Sequence, residues 1–172
     1  MPRLALALAL PVAFAALALG AAPASAQPDG RESLGVYSSW AAFRDDASAR
    51  CYAIAKPRGG NEEAAFASVA TWPKRGIRSQ LHIRLARPAA EDSNPLLRIG
   101  SRRFELVASG RDAWAKDGAM DAAVVAALRS ATDLRVTARS PGGRRFTSRY
   151  DLTGVATAMD AAAVGCANLR RG

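Results

Sequence analysis

The amino-acid sequence predicts a mainly β protein, a single-domain antiparallel β-sandwich-like fold with two short helices. Three observations support this prediction. Residues 79–87 alternate apolar and polar side chains, the pattern of a strand with one buried face. Turn sequences at 100–101 and 141–143 separate stretches with the same alternation, which predicts two β-hairpins. Helical spacing of apolar residues is found near 118–130 and 155–164.

The N-terminus has the features of a secretory signal peptide. Arg3 precedes an apolar run over residues 4–19, and small residues at 24–26 form a cleavage site of the A-x-A type. The alternative is a membrane anchor, but the run is near the lower length limit for crossing a bilayer and contains Pro11. We therefore predict that residues 1–26 are a cleaved signal peptide.

Cleavage would release one domain into the periplasm or the medium. Residues 27–34 are polar and contain Pro28 and Gly30, so we predict a flexible N-terminal lead. Residues 35–172 are long enough to bury a core of their own and are predicted to form a single β-rich domain. No second stretch is apolar enough for a transmembrane segment, which predicts a periplasmic or secreted protein.

The strands of the N-terminal half are bounded by turn-forming residues. Residues 51–54 run to a stop at Pro57, and residues 66–71 end shortly before Pro73. The alternating strand at 79–87 follows. The alternating positions of the first hairpin are Leu97, Ile99, Phe104, Leu106 and Ala108. Those of the second hairpin are Leu134, Val136, Ala138, Phe146, Ser148, Tyr150 and Leu152.

Two segments have helical periodicity. In residues 118–130, apolar side chains recur every four residues from Met120, and Asp117 is available as the N-cap. Residues 155–164 are rich in alanine and reach Gly165, a residue type that commonly ends helices. We expect both helices to lie on the sheets.

The cysteine count predicts one disulfide. Cys51 and Cys166 are an even pair, and in an oxidising compartment a bridge is favoured over two free thiols. It would tie the first strands to the last helix. A metal site is not expected, because two cysteines and one histidine make a poor ligand set. No cofactor is expected, because the paired glycines lack the strand–loop–helix context of a nucleotide site.

The chain is strongly basic, with 24 Lys and Arg against 15 Asp and Glu and a formal net charge of +9. An exported protein is not expected to meet nucleic acid. The anions it would meet are lipid head groups, lipopolysaccharide phosphates and acidic protein surfaces. The charge therefore predicts an anionic envelope component or another envelope protein as partner.

Six basic side chains at or beside predicted turns are the candidate binding residues. They are Lys74, Arg75, Arg102, Arg103, Arg144 and Arg145. If these turns share one end of the sandwich, they form a basic rim able to hold phosphates or carboxylates. The alternative is scattered charge that keeps the protein soluble.

No residue pattern indicates catalysis. His82 is the single histidine, and it is predicted in mid-strand on the polar face rather than beside a nucleophile on a loop. No Gly-x-Ser-x-Gly elbow occurs in the sequence. Adjacent acids at 45–46, 62–63 and 91–92 are expected to be solvated turn charges. We predict a non-enzymatic protein without catalytic residues.

The order of elements in the C-terminal half resembles a known family. A helix over 119–130 leads to a strand from Leu134, a turn, and residues 150–159, which read Tyr-Asp-Leu-Thr-Gly-Val-Ala-Thr-Ala-Met. Together with Trp40 and residues 51–54, this order resembles the invasion-associated locus B family of exported bacterial proteins. The resemblance implies a β-sandwich-like fold and an envelope role, linked in some members to host-cell interaction.

Two features depart from that family. Val155 occupies a position where an aromatic residue is usual, and residues 116–119 lack the Gly-Cys element that precedes the middle helix in family members. A Cys51–Cys166 bridge would therefore be this chain's own arrangement. The matched positions indicate how the chain packs and in which order its elements follow one another, and none of them is a catalytic motif.

Three functional hypotheses follow. The preferred one is a non-enzymatic envelope protein that binds another envelope or host-surface component through the basic rim. The second is an assembly or structural factor whose edge strands pair with a partner. The third is an envelope hydrolase of unrecognised type, which would need His82 or a loop carboxylate.

Overall fold

The computed structural model describes residues 30–59 and 64–167. The predicted signal peptide, residues 1–26, lies outside the described residues. The strands are β1 (Arg31–Tyr37), β2 (Trp40–Asp45), β3 (Arg50–Ala55), β4 (Phe66–Trp72), β5 (Ile77–Arg84), β6 (Leu96–Ile99), β7 (Arg102–Glu105), β8 (Val107–Ser109), β9 (Asp112–Trp114), β10 (Asp133–Arg139) and β11 (Arg145–Asp151). The helices are α1 (Gly118–Leu128) and α2 (Val155–Gly165), and a 3₁₀ turn covers Pro73–Arg75.

The strands form two antiparallel sheets, which confirms the predicted β-sandwich-like fold. The larger sheet has seven strands in the order β1-β2-β3-β4-β5-β9-β8, and the smaller has four in the order β11-β10-β6-β7. Both predicted hairpins are present, as β6–β7 and β10–β11. Turn chemistry specified them locally, because glycine at the turn accepts the backbone conformation that a tight reversal needs.

The chain enters the fold earlier than predicted. Residues 31–34 were expected in a flexible lead, but they belong to β1, which pairs with β2. The side chain of Leu34 packs on the core, and Tyr37 donates a hydrogen bond from its hydroxyl to the Leu34 carbonyl at 3.1 Å. The register shifts between Ser33 and Gly35, so a bulge interrupts the alternation that would have revealed the strand.

The return strand of the first hairpin is divided between the two sheets. Strand β7 ends at Glu105, and Leu106 is fully buried with its N–H donating to the Pro95 carbonyl at 2.9 Å. Strand β8 then pairs with β9 in the larger sheet. The continuous alternation from Phe104 to Ala108 therefore hides a crossing of the chain from one sheet to the other.

Helix α1 begins as predicted at its N-cap. Asp117 Oδ1 accepts a hydrogen bond from the Met120 N–H at 2.7 Å. Asp121 accepts from the Leu81 N–H at 2.8 Å, which attaches the helix to β5. Burial raises the pKa of the Asp121 carboxyl, against the effect of that hydrogen bond. The helix ends at Leu128, two residues short of the predicted boundary.

Helix α2 packs against β1 to β4 and is joined to β3 covalently. Its buried side chains are Val155, Ala158, Met159 and Ala162. Cys166 follows the helix and forms a disulfide with Cys51, with the two Cα atoms 5.6 Å apart. This confirms the predicted pairing between the first strands and the last helix.

One hydrophobic core lies between the two sheets and the helices. Trp40 on β2 is 1% exposed, and its Nε1 donates to the Asp151 carbonyl at the end of β11, at 2.8 Å. This bond connects the two sheets at one end of the sandwich. Within the described residues, neither helix has the length and apolar character needed to cross a membrane.

Candidate functional site

His82 lies on the outer face of the larger sheet, as the alternation predicted. Its Nε2 is 2.9 Å from Asp112 Oδ1, and its ring stacks on Trp114 with centroids 5.5 Å apart. Ser68 is its cross-strand neighbour, but the serine hydroxyl points to the His82 carbonyl oxygen at 3.4 Å. The imidazole is therefore held by packing and by a carboxylate, and the Ser68 hydroxyl is directed at the backbone.

The six candidate binding residues do not form one rim, which corrects the predicted arrangement. Lys74 and Arg75 lie in the 3₁₀ turn of the larger sheet, where Arg75 covers the Trp72 ring at 4.7 Å. In the smaller sheet, the β6–β7 and β10–β11 turns lie at opposite ends, because β6 runs antiparallel to β10. The turns that precede Arg103 and Arg145 are therefore separated by the length of the sheet.

The four candidate arginines of the smaller sheet have different surroundings. The Arg102 guanidinium donates to the Ala123 carbonyl of α1 at 3.2 Å and lies 5.2 Å from the Phe104 ring centroid. Arg144 lies in the turn ahead of β11 and is exposed. Arg103 and Arg145, in contrast, belong to strand positions that point outward from the smaller sheet.

The structure brings four exposed arginines into a single row across the smaller sheet. Along the row, Arg149 of β11 pairs with Arg135 of β10, Arg135 with Arg98 of β6, and Arg98 with Arg103 of β7. Neighbouring strands are about 4.8 Å apart, so the row spans about 15 Å. We call these four residues the arginine face. Arg139 and Arg145 form a further cross-strand pair on the same side.

Little of this charge is neutralised within the protein. Asp133 Oδ2 lies 3.8 Å from Arg135 Nη2, and Arg98 Nε donates to the Gly100 carbonyl at 3.0 Å. No carboxylate within the described part of the chain forms an ion pair with Arg103 or Arg149. Like charges directly opposite each other destabilise a sheet. An anion lying across the row would therefore reduce the repulsion between the neighbouring guanidinium groups.

Sequence reasoning found Arg103 and missed the other three members of the row. Arg98, Arg135 and Arg149 occupy the outward positions of the two predicted hairpins, and that much was readable from the alternation. Their alignment depends on the pairing of β10 with β6, which are separated by more than thirty residues in the chain. No local pattern specifies that register.

An aromatic pocket of about 360 Å³ lies on the outer face of the larger sheet. Its floor is Ser68 and Ala70 of β4, which are small and leave space between the larger side chains of β3 and β5. Its walls and rim are Arg31, Arg50, Tyr52, Ile54, Phe66, Trp72, Gln80, His82 and Trp114. Of the described residues, those in the lining include guanidinium groups and no carboxylate.

Arg50 is held over this pocket by its neighbours. Its guanidinium carbon lies 4.8 Å from the Tyr52 ring centroid and 5.2 Å from that of Trp72. Its Nε donates to Asp45 Oδ2 at 3.2 Å. The two Nη groups of Arg50 have no hydrogen-bond partner within the described residues, so they remain available to an anion.

An apolar groove of about 610 Å³ adjoins the aromatic pocket, and Ile54 lines both. Its floor is Ala41 of β2, with Val36 of β1 and Phe43 along its sides. Val36 is 73% exposed, unusual for a large apolar side chain on a sheet. At the far end, the Arg58 guanidinium forms an ion pair with the Asp151 carboxylate.

Hydrogen bonds lower the pKa of the Asp151 carboxyl to about 2. The largest cause is the Thr153 hydroxyl, which donates at 2.6 Å, followed by the Thr153 N–H at 2.8 Å and the Arg58 guanidinium. A carboxyl with a lowered pKa in the folded state stabilises the fold above its ordinary pKa of 3.8. That stabilisation is lost as the pH falls through the folded-state value.

We therefore expect Asp151→Asn to lower the free energy of unfolding at pH 6, with the difference from wild type shrinking toward zero near pH 2. Urea unfolding at the two pH values measures this. Asp92→Asn, on an exposed loop, is the control and should have no effect at either pH. A deficit in Asp151→Asn that is equal at both pH values would show that the carboxylate's charge is not what stabilises this end of the sandwich.

Within residues 30–59 and 64–167, no three His, Cys, Asp or Glu side chains are grouped as metal ligands. Comparison with known proteins gives no match to any family model, curated protein or solved structure. The resemblance to the invasion-associated locus B family therefore stays a prediction. The fold and surfaces define a β-sandwich-like protein with the arginine face on the smaller sheet and the aromatic pocket on the larger sheet.

Proposed function

We propose that this chain is a non-enzymatic, exported envelope protein that binds a phosphate-bearing envelope component through the arginine face. The observation that carries the proposal is the in-register row of Arg98, Arg103, Arg135 and Arg149. Guanidinium groups bind phosphate oxygens in bidentate geometry, and a row of four offers several such contacts to one anionic surface. Ser68, the cross-strand neighbour of His82, donates its hydroxyl to the His82 carbonyl oxygen and not to the imidazole, and this supports the non-enzymatic part of the proposal.

Replacing the four arginines of this face with serine tests the proposal. We expect binding of the exported form to its own organism's envelope fractions, and to vesicles containing phosphatidylglycerol, to weaken by roughly a hundredfold or more. Each basic residue near an anionic surface contributes about 1 kcal/mol, and about 1.4 kcal/mol is a factor of ten. Cosedimentation across a salt series measures both the affinity and its salt dependence, which should flatten in the variant.

A charge-matched control distinguishes the effect of losing the arginine face from the effect of lowering the net charge of the protein. Lys74, Arg78, Arg87 and Lys116 are exposed and lie outside the smaller sheet, so changing them to serine removes the same charge elsewhere. This control should keep most of the binding. Equal losses in the two quadruple variants would mean that overall charge, and not the arginine face, attracts the anion.

A second candidate function is assembly through an edge strand. Strand β1 is seven residues long and lies at the edge of the larger sheet, with Val36 exposed. An unpaired edge can accept a strand from a partner. In the same experiment, capture that is insensitive to salt and unchanged by the arginine replacements would favour this function over the first.

A further inference from the structure

The outer face of the larger sheet carries two adjoining cavities of opposite character. Among the described residues, the aromatic pocket is lined by guanidinium groups and no carboxylate, whereas apolar side chains dominate the groove beside it, with Lys56, Arg58 and Asp151 also in its lining. Ile54 separates the two cavities and lines both, so one ligand can occupy them together. This face is opposite to the side that packs on the core, because Ala53, Val69 and Ile83 point inward at the intervening positions.

We propose that this face binds a single fatty acid, with the carboxylate in the aromatic pocket and the hydrocarbon chain in the apolar groove. The free Nη groups of Arg50 and the amide of Gln80 would hold the carboxylate. A carboxylate is planar and carries one charge, which suits a single guanidinium with neutral donors beside it. The chain would cross Ile54 and lie over Ala41 toward Val36.

Burial of apolar surface supplies the driving force for the chain. Val36 alone is 73% exposed in the free protein, and covering such a side chain with hydrocarbon removes apolar surface from water, which is favourable. Across the strands, the distance from β5 to β1 is about 19 Å at about 4.8 Å per strand. An extended hydrocarbon chain therefore has room to lie flat across the sheet. The Arg50 Nε forms an ion pair with Asp45, and the two remaining Nη groups set the direction of the ligand by donating to its carboxylate.

The first test uses laurate as the probe. Its binding is measured by the change in fluorescence of Trp72 and Trp114, which line the aromatic pocket. We expect saturable binding with one laurate per chain, and at least tenfold weaker binding of dodecyltrimethylammonium. Arg50→Gln should abolish the preference for the anion, whereas Arg78→Gln, on β5 outside the pocket lining, should preserve it. Equal affinity of wild type for the two amphiphiles would overturn the assignment of the carboxylate to the pocket.

The second test uses two valines of equal exposure. Val36 in the groove and Val164 on α2 are each 73% exposed, so glutamate at either position is tolerated by the fold. Val36→Glu should weaken laurate binding about tenfold by placing a carboxylate against the chain, and Val164→Glu should leave it unchanged. Equal effects of the two substitutions, or no saturable binding below the concentration at which laurate forms micelles, would overturn the proposal.

Two alternatives compete with this proposal. A second copy of the chain could occupy the groove, and the arginine face could bind the anion. Dimerisation of the apo protein that depends on concentration and is abolished by Val36→Glu would show that a second copy covers the groove, and would overturn the fatty-acid proposal. The variant with serine at the four positions of the arginine face should bind laurate as wild type does. Loss of laurate binding in that variant would place the anion on the smaller sheet instead, so failure of this inference is distinguishable from failure of the proposed function.

Discussion

Replacing Cys51 and Cys166 together with alanine is expected to lower the free energy of unfolding by about 5 kcal/mol on the chain-entropy model. The two residues are 115 positions apart, so the bridge removes a large part of the freedom of the unfolded chain. Both side chains are fully buried, and alanine avoids placing an unsatisfied hydroxyl in the core. This would be a large fraction of the stability of a domain of this size.

Urea unfolding of the oxidised wild type and the double variant measures this difference. Wild type under reducing conditions is the matched control, and it should unfold close to the variant. A loss of less than about 1 kcal/mol would contradict the entropic account, because it would mean that the unfolded chain keeps β3 and α2 together without the bridge.

Gly154→Ala is expected to cost about 3 kcal/mol or more in unfolding free energy, the second of the large effects. Gly154 precedes α2 with φ +88°, and a Cβ at this position would lie 1.9 Å from the Tyr37 carbonyl oxygen. The backbone of the β1–β2 turn would have to move to accept it. That displacement adds to the strain of the left-handed conformation, which by itself costs roughly 1–3 kcal/mol.

Gly110→Ala separates these two contributions. Gly110 also has a positive φ, of +57°, but a Cβ there would meet nothing within 4 Å. This variant should therefore lose only the conformational part, about 1 kcal/mol. Thermal or urea unfolding of the two variants gives the comparison. Equal losses would show that the Tyr37 carbonyl yields at little cost and that the close packing of α2 on β1 is not rigid.

The predicted elements that the structure confirms are those with local causes. The β10–β11 hairpin follows from alternation around a glycine-containing turn, and α1 begins where Asp117 can accept the Met120 N–H. The disulfide followed from the cysteine count and the expected compartment, and the pairing is observed. Each of these inferences needed only the chemistry of neighbouring residues or a count over the whole chain.

The predictions that failed involve residues whose neighbours are distant in sequence. Residues 31–34 were assigned to a flexible lead because the bulge between Ser33 and Gly35 interrupts the alternation of β1, and only the pairing with β2 identifies them as part of a strand. The continuous pattern from Phe104 to Ala108 predicted one strand, but Leu106 turns into the core and the chain changes sheets there. Tertiary packing overrides a local alternation pattern when buried positions in one continuous run pack in two different sheets.

The candidate sites show the same division. The composition indicated an anionic partner, and of the four arginines of the row the sequence analysis singled out Arg103 alone. Sequence alone suggested that the turn arginines share one end, whereas the antiparallel pairing of β6 with β10 separates those turns and aligns the strand arginines. The aromatic pocket depends on Ser68 and Ala70 lying between Tyr52 and His82, side chains from three strands.

The sequence by itself determined the fold class, the two hairpins, the two helices and the disulfide, because periodicity, turn chemistry and residue counts are properties of the chain as written. Only the tertiary structure decided where the charges and cavities lie. Register between strands far apart in sequence is set by the core they bury together, and a shift of one residue in one strand would turn the arginine of that strand inward.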